Sequence, residues 1–233
     1  MEAFIFINQI LWHNSVLGLL LVTGIVLTIK SRFCQYRALT HGVRILRGTY
    51  DNAKDPGAIS HFQALSAALS ATVGLGNIGG VALAISLGGP GAIFWMWVVG
   101  FFGMAIKLTE VGLSMLYRNT DDPQNPHGGP MWVVSKGLAN MHPRLAPLGK
   151  CIGAIFCLTL LVSAVTGGNM FQAWNVGTIT EEYFGIPSVL AGIVLALLVG
   201  MVIIGGIKRI GAVAGRLVPF MVALYMIAGA YIL

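Results

Sequence analysis

Residues 70 to 80 read Ser-Ala-Thr-Val-Gly-Leu-Gly-Asn-Ile-Gly-Gly. They lie within an apolar stretch, 61–87, that is long enough to span a bilayer, since about 20 apolar residues cross about 30 Å of hydrocarbon. Gly74 and Gly76 flank Leu75 near the middle of that stretch, and Asn77 follows at once. Each glycine weakens a helix by about 1 kcal/mol relative to alanine. Backbone groups released in hydrocarbon cost several kcal/mol each unless protein or a cavity satisfies them. Two readings fit. In one, Gly76 and Gly80 continue a small face begun by Ala64, Ala67, Ala68 and Ala71, and pack against a neighbouring helix. In the other the helix is broken, its freed carbonyls hold a hard cation, and the N–H groups of the next half-helix hold a carboxylate. The helix dipole favours that second arrangement.

The composition points to lipid. Of 233 residues, 56% are hydrophobic and 9% charged, with mean hydropathy +0.82. A soluble domain carries about 25% charged residues, so this chain lacks the polar side chains to cover a wet surface. The 31 glycines suit membrane helices, which tolerate glycine and approach one another through small residues. Cys34, Cys151 and Cys157 are scattered and form neither a disulfide framework nor a metal set with the histidines. The N-terminal Met-Glu-Ala-Phe-Ile-Phe lacks the basic start of a cleaved signal peptide and reads as the approach to a first span.

Six stretches are expected to cross: about 10–29, 61–87, 91–117, 148–171, 187–207 and 213–233. The connections between them alternate in charge. The first holds Lys30, Arg32, Arg37, Arg44, Arg47 and Lys54, the third Arg118, Lys136, Arg144 and Lys150, and the fifth Lys208, Arg209 and Arg216. Of the 14 Lys and Arg residues, only Lys107 lies elsewhere. Basic loops gather on the cytoplasmic side, which places the N-terminus outside and explains the net charge of +6 without nucleic acid. Trp12, Trp95 and Trp97 fall near outer ends. Residues 33–47 set Tyr36, Leu39, Val43 and Leu46 at helical spacing beside Arg37 and Arg44, as a short helix on the inner surface would. Asp121 to Pro126 is a turn-rich loop.

Further polar residues lie at membrane depth. Lys107 and Glu110, three apart, can pair on one helix face. Asn169 and Asn175 can bridge helices or line a pocket, with bridging favoured for Asn175. His61 reads as an interfacial cap and Pro219 as a kink. No Ser/His/Asp or His-Glu-x-x-His constellation stands at membrane depth, so an enzyme is not expected.

The run TVGLGNIGGVALAISLGGPGAIFWMWVVGFFGMAIKLTE, with Gly88-Gly89-Pro90-Gly91 followed by Phe94-Trp95-Met96-Trp97, strongly resembles the sodium:alanine (alanine or glycine:cation) symporter family. His127-Gly128-Gly129-Pro130-Met131 and Gly168-Asn169-Met170-Phe171-Gln172-Ala173 extend the resemblance over most of the chain from about residue 60. It implies an all-α membrane protein with a leucine-transporter-like fold: an extra first helix, about 10–29, then a five-helix repeat, about 61–233. It also implies sodium-driven import of alanine or glycine across the cytoplasmic membrane, with sodium as coupling ion and no other cofactor. By the same analogy the Thr72 and Val73 carbonyls and the Asn77 side chain ligate sodium. Thr72, Gly74, Gly76, Asn77, Phe171 and Gln172 form the substrate pocket, with the N–H groups near Gly76 receiving the carboxylate.

The chain departs from the family pattern at three places. The loop reads Met131-Trp132-Val133-Val134-Ser135 where the family usually carries Tyr-Tyr-Ile-Glu before Lys136-Gly137-Leu138, and Trp174 follows Ala173 where a small polar residue is usual. Family members are also about twice as long, so this sequence is expected to be a fragment lacking the second repeat. An inactive half-transporter and an ion channel are the alternatives to a symporter.

Overall fold

The computed structural model describes residues 2–11, 13–50, 59–74, 76–122 and 126–232. Among these the regular structure is helical, and Asn119 and His127 form an isolated antiparallel bridge. The expected surface placement of Trp12 lies outside the described residues, as do Leu75 and the middle of the turn-rich loop.

Four helices among the described residues are long and apolar enough to cross a membrane: Asn8–Lys30, Gly91–Leu116, Pro143–Phe184 and Gly206–Ile232. The pair His61–Thr72 and Gly76–Gly88 makes a fifth crossing if the two count as one bent span. The stretch expected at 187–207 is a shorter apolar helix, Ser188–Ile203. At 1.5 Å per residue its 16 residues reach about 24 Å, less than the usual hydrocarbon thickness. The fourth stretch is longer than expected, because the helix starts before residue 148 and runs beyond 171 to Phe184. The chain is a multi-pass helical membrane protein.

In chain order the helices are α1 (Glu2–Leu11), α2 (Asn14–Lys30), α3 (Cys34–Leu46), α4 (His61–Thr72), α5 (Val81–Gly88) and α6 (Gly91–Leu116), then α7 (Pro130–Met141), α8 (Ala146–Ser163), α9 (Phe171–Phe184), α10 (Ser188–Ile203) and α11 (Gly206–Ile232). Their outer faces are apolar and open: Leu19 is 67% exposed, Leu158 66% and Leu197 63%. Lipid is the solvent for such surfaces, because it does not penalise exposed leucine as water does.

Helices meet through small residues. On α2, a Cβ at Gly24 would stand 2.8 Å from Phe102 Cβ of α6. On α8, a Cβ at Gly149 would lie 2.9 Å from the Val134 carbonyl oxygen, and one at Gly153 3.1 Å from that of Met131. This places α7 backbone to backbone along α8 through a glycine pair four apart. The α7 helix stands where a loop alone was expected. Pro130 begins it, pre-set for a first helical position. Between α4 and α11 the buried residues are Ser66 on one side and Gly211, Ala214 and Val218 on the other. Gly89, with φ +70°, turns the chain from α5 into α6.

Several residues singled out in the sequence differ from expectation or sharpen it. Ser60, not His61, caps α4, by a reciprocal box in which Gln63 N–H donates to Ser60 Oγ and Ser60 N–H to Gln63 Oε1. Asn175 bridges no helices through the bond it makes, since its Nδ2 donates to the Phe171 carbonyl of its own helix at 2.9 Å. Lys107 Nζ and Glu110 Oε2 pair at 2.9 Å, as their spacing predicts. Pro219 lies inside α11, which continues through it to Ile232.

Candidate functional site

Helix α4 stops at Thr72. Val73 takes an extended conformation (φ −86°, ψ 97°), and its N–H donates to the Leu69 carbonyl at 2.7 Å. Beyond it the chain resumes as a five-residue π-helical turn, Gly76–Gly80, and then α5. The two half-helices are inclined at 54°. Of the two readings of residues 70–80, the structure shows the broken helix. Neither Gly76 nor Gly80 packs against another helix, for a Cβ at either would find nothing within 4 Å.

Two local effects place the break here. Thr72 Oγ donates to the Ala68 carbonyl at 2.8 Å and Ser70 Oγ to that of Ala67 at 2.7 Å, back-bonding that bends helices in apolar surroundings. Glycines then remove the side-chain contacts that would hold the next turn in line. Among the described residues past Gly74, Asn77 N–H donates to the Gly74 carbonyl at 2.9 Å. A helix end leaves its last carbonyls without helical donors, and the next helix start leaves N–H groups without helical acceptors. The end of one helix and the start of the next therefore fall within a few residues of each other in the chain, at Thr72 and Gly76.

The partner of the break comes from α9, about 100 positions on in the chain. Gln172 is half-buried and its side-chain amide lies against Gly74, where an added Cβ would be 3.6 Å from Nε2 and 3.7 Å from Oε1. Gln172 follows a second π-helical stretch, Ala164–Met170, which joins α8 to α9. Such stretches carry an extra residue in the helix and so change which side chains face a neighbour. The expected residue set is thus partly assembled. Thr72, Val73, Gly74, Gly76 and Asn77 line one segment, and Gln172 meets it at Gly74. Phe171 is 48% exposed and its ring pairs with Trp174, centroids 6.3 Å apart, rather than closing on the break.

The polar atoms gathered here are neutral: backbone carbonyls and N–H groups, the Thr72 hydroxyl, and the amides of Asn77 and Gln172. Among the described residues no three His, Cys, Asp or Glu cluster as a metal set. Neutral oxygens suit a weakly held monovalent cation, and the N–H groups of a helix start suit a carboxylate. The sequence pointed to each of these residues except the two π-helical stretches. Gly167 and Gly168 within Ala164–Met170 were the only available signal for the second.

The model of the sodium:alanine symporter family matches residues 1–233. The sodium/alanine symporter AgcS of Methanococcus maripaludis is 44% identical over 227 residues, covering 97% of this chain and 49% of that protein. The probable sodium/glutamine symporter GlnT of Bacillus subtilis is 36% identical over 220 residues, covering 94% and 44%. The putative sodium/proton-dependent alanine carrier protein YrbD of Bacillus subtilis is 37% identical over 222 residues, covering 95% and 43%. The chain spans about half the length of the curated relatives it matches.

Proposed function

Because this chain belongs to the sodium:alanine symporter family, a family of transporters and not of enzymes, we propose that it carries the ion- and substrate-holding segment of a sodium-coupled symporter. The solute is a small neutral amino acid, alanine or glycine, imported across the cytoplasmic membrane. The single observation behind this reading is the 54° break between Thr72 and Gly76, with Gln172 lying against Gly74.

The roles follow from the chemistry of each group. Carbonyls of Thr72 and Val73 and the Asn77 amide oxygen hold sodium, an ion that accepts neutral oxygen ligands. The N–H groups at Gly76 and beyond receive the substrate carboxylate, aided by the positive end of the following helix dipole. The substrate's own negative charge then offsets the sodium, which explains coupling without an acidic side chain at the break. Gln172 donates to or accepts from the substrate beside Gly74. Residues 61–233 act as the first five-helix repeat of a leucine-transporter-like fold, after an extra helix at about 10–29. In a protein of the relatives' length a second, inverted repeat covers the exposed side of the break, and transport comes from rocking one bundle against the other. The alternation of basic connections supports an outside N-terminus.

The test is uptake of labelled alanine into vesicles by a protein carrying this chain at the length of its relatives. Uptake that saturates, disappears when sodium is replaced by choline, and is competed more strongly by glycine than by glutamine is the expected result. Flux that rises linearly with alanine and ignores sodium would identify a channel and overturn the proposal.

A further inference from the structure

Helix α3 has three distinct faces. At about 100° per residue, Cys34, Gln35, Gly42 and Ile45 occupy one sector of the helix, and they are the buried and half-buried ones. Gln35 fixes this face to the bundle: its Nε2 donates to Thr28 Oγ1 at 3.0 Å and to the Phe101 carbonyl of α6 at 3.1 Å. The next sector holds Tyr36, Leu39, Val43 and Leu46, with Tyr36 75% and Leu39 74% exposed. The third holds Arg37, Thr40 and Arg44, with Arg47 at the C-terminal cap. Residues 30–50 contain five Lys and Arg and no Asp or Glu. Among the described residues no carboxylate pairs with Arg37, Arg44 or Arg47.

A helix anchored on one side has a fixed rotation, so its other two faces cannot exchange places. Arg32 and Phe33, at φ 53° and 55°, make the left-handed corner that swings the chain out of α2 into this orientation. Non-glycine residues rarely hold such angles unless the surroundings enforce them. An apolar face and a basic face side by side fit one boundary, between acyl chains and phosphate headgroups. Phe101 lies within the crossing helix α6, six residues, roughly 9 Å along the helix, from Lys107. The first turn of α3 is thus held against a membrane-crossing helix, while its arginines stand on a face turned away from that contact.

We propose that α3 is a binding site for anionic phospholipid, with Arg37, Arg44 and Arg47 on the phosphates and Tyr36, Leu39, Val43 and Leu46 among the upper acyl carbons. This rests on the membrane placement of the chain and is independent of sodium coupling. An uncharged headgroup would leave three cations without a counter-charge, and a zwitterionic one brings its own cation and so offers them no net negative charge. A soluble protein partner would leave the apolar face facing the wrong side of the boundary.

The test is hydrogen–deuterium exchange of residues 34–46 in the full chain, held in nanodiscs of phosphatidylcholine alone or mixed equally with phosphatidylglycerol. Each cation near an anionic surface is worth roughly fivefold in binding, so amides of α3 should exchange on the order of tenfold to a hundredfold more slowly in the anionic discs. Raising the salt should remove the difference, because the headgroup attraction is screened within a Debye length. The triple variant R37Q/R44Q/R47Q should exchange alike in both discs. Wild-type exchange that is equal in the two discs, or protection kept by the triple variant, overturns the proposal. So does equal protection by soluble glycerol phosphate in phosphatidylcholine discs, which would make the site one for free phosphate. If the triple variant fails to insert, the salt dependence of the wild type decides the matter alone.

Discussion

The side-chain amide of Gln172 lies against the backbone of Gly74, close enough that a methyl group on Gly74 would stand 3.6 Å from Gln172 Nε2. That is ordinary van der Waals contact, so the space above Gly74 admits a methyl group and little more. The relationship joins the broken α4–α5 segment to the start of α9, and it gives the proposed pocket a wall from each.

Gly74→Ala should therefore insert and fold as the parent does, with uptake reduced by less than about tenfold. Gly74→Leu pushes a branched chain into the Gln172 amide and should reduce sodium-dependent uptake by more than that. Because the two residues touch, Gly74→Leu and Gln172→Ala should be non-additive by about 0.5–3 kcal/mol. A double-mutant cycle on initial uptake rates, read beside expression in the membrane, measures it. Strict additivity would show that the contact plays no part in transport.

Asn77 carries the only side-chain amide within the break itself. Asn77→Ala should leave expression unchanged and raise the sodium concentration needed for half-maximal uptake at least about tenfold, or roughly 1.4 kcal/mol. Uptake measured against sodium concentration reads this directly. An unaltered sodium curve would remove Asn77 from the ligand set.

The π-helical stretch Ala164–Met170 sets the rotation of α9 relative to α8. Gly167 packs against nothing within 4 Å, so its removal costs no contact of its own. Deleting it turns the following helix by about 100° and swings Gln172 off Gly74. Uptake should fall on the order of a hundredfold, as displacements of about 1 Å from a reacting or binding site can do, while α7–α8 packing persists. Protease-accessible sites in the loop after α6 report on that packing.

Gly149→Ala and Gly100→Ala form a matched pair. A Cβ at Gly149 would sit 2.9 Å from the Val134 carbonyl oxygen, and one at Gly100 meets nothing within 4 Å. The obstacle at Gly149 is backbone, which cannot rotate away as a side chain can. Gly149→Ala should destabilise the chain by about 1–3 kcal/mol. Gly100→Ala should be neutral, or stabilising by a few tenths of a kcal/mol through helix propensity. Thermal unfolding in detergent compares the two.

By itself the amino-acid sequence determined the solvent of this protein, most of its crossings and the weak point at residues 72–77. Those properties are local: hydropathy sums over about 20 neighbours, and glycine acts on its own turn. The positions of the basic connections carried the proposed topology for the same reason. The choice between packing and breakage at Gly76 and Gly80 needed the tertiary structure, because both readings use the same spacing and differ only in whether a neighbour is present. The union of Gly74 with Gln172, the seating of α7 on Gly149 and Gly153, and the fixed rotation of α3 through Gln35 were also decided there. In lipid the outer face of a helix is as apolar as its inner one, so no hydrophobic stripe marks which side meets a partner far along the chain. Those contacts are set by the fit of small residues against backbone, and that fit exists only once the helices are side by side.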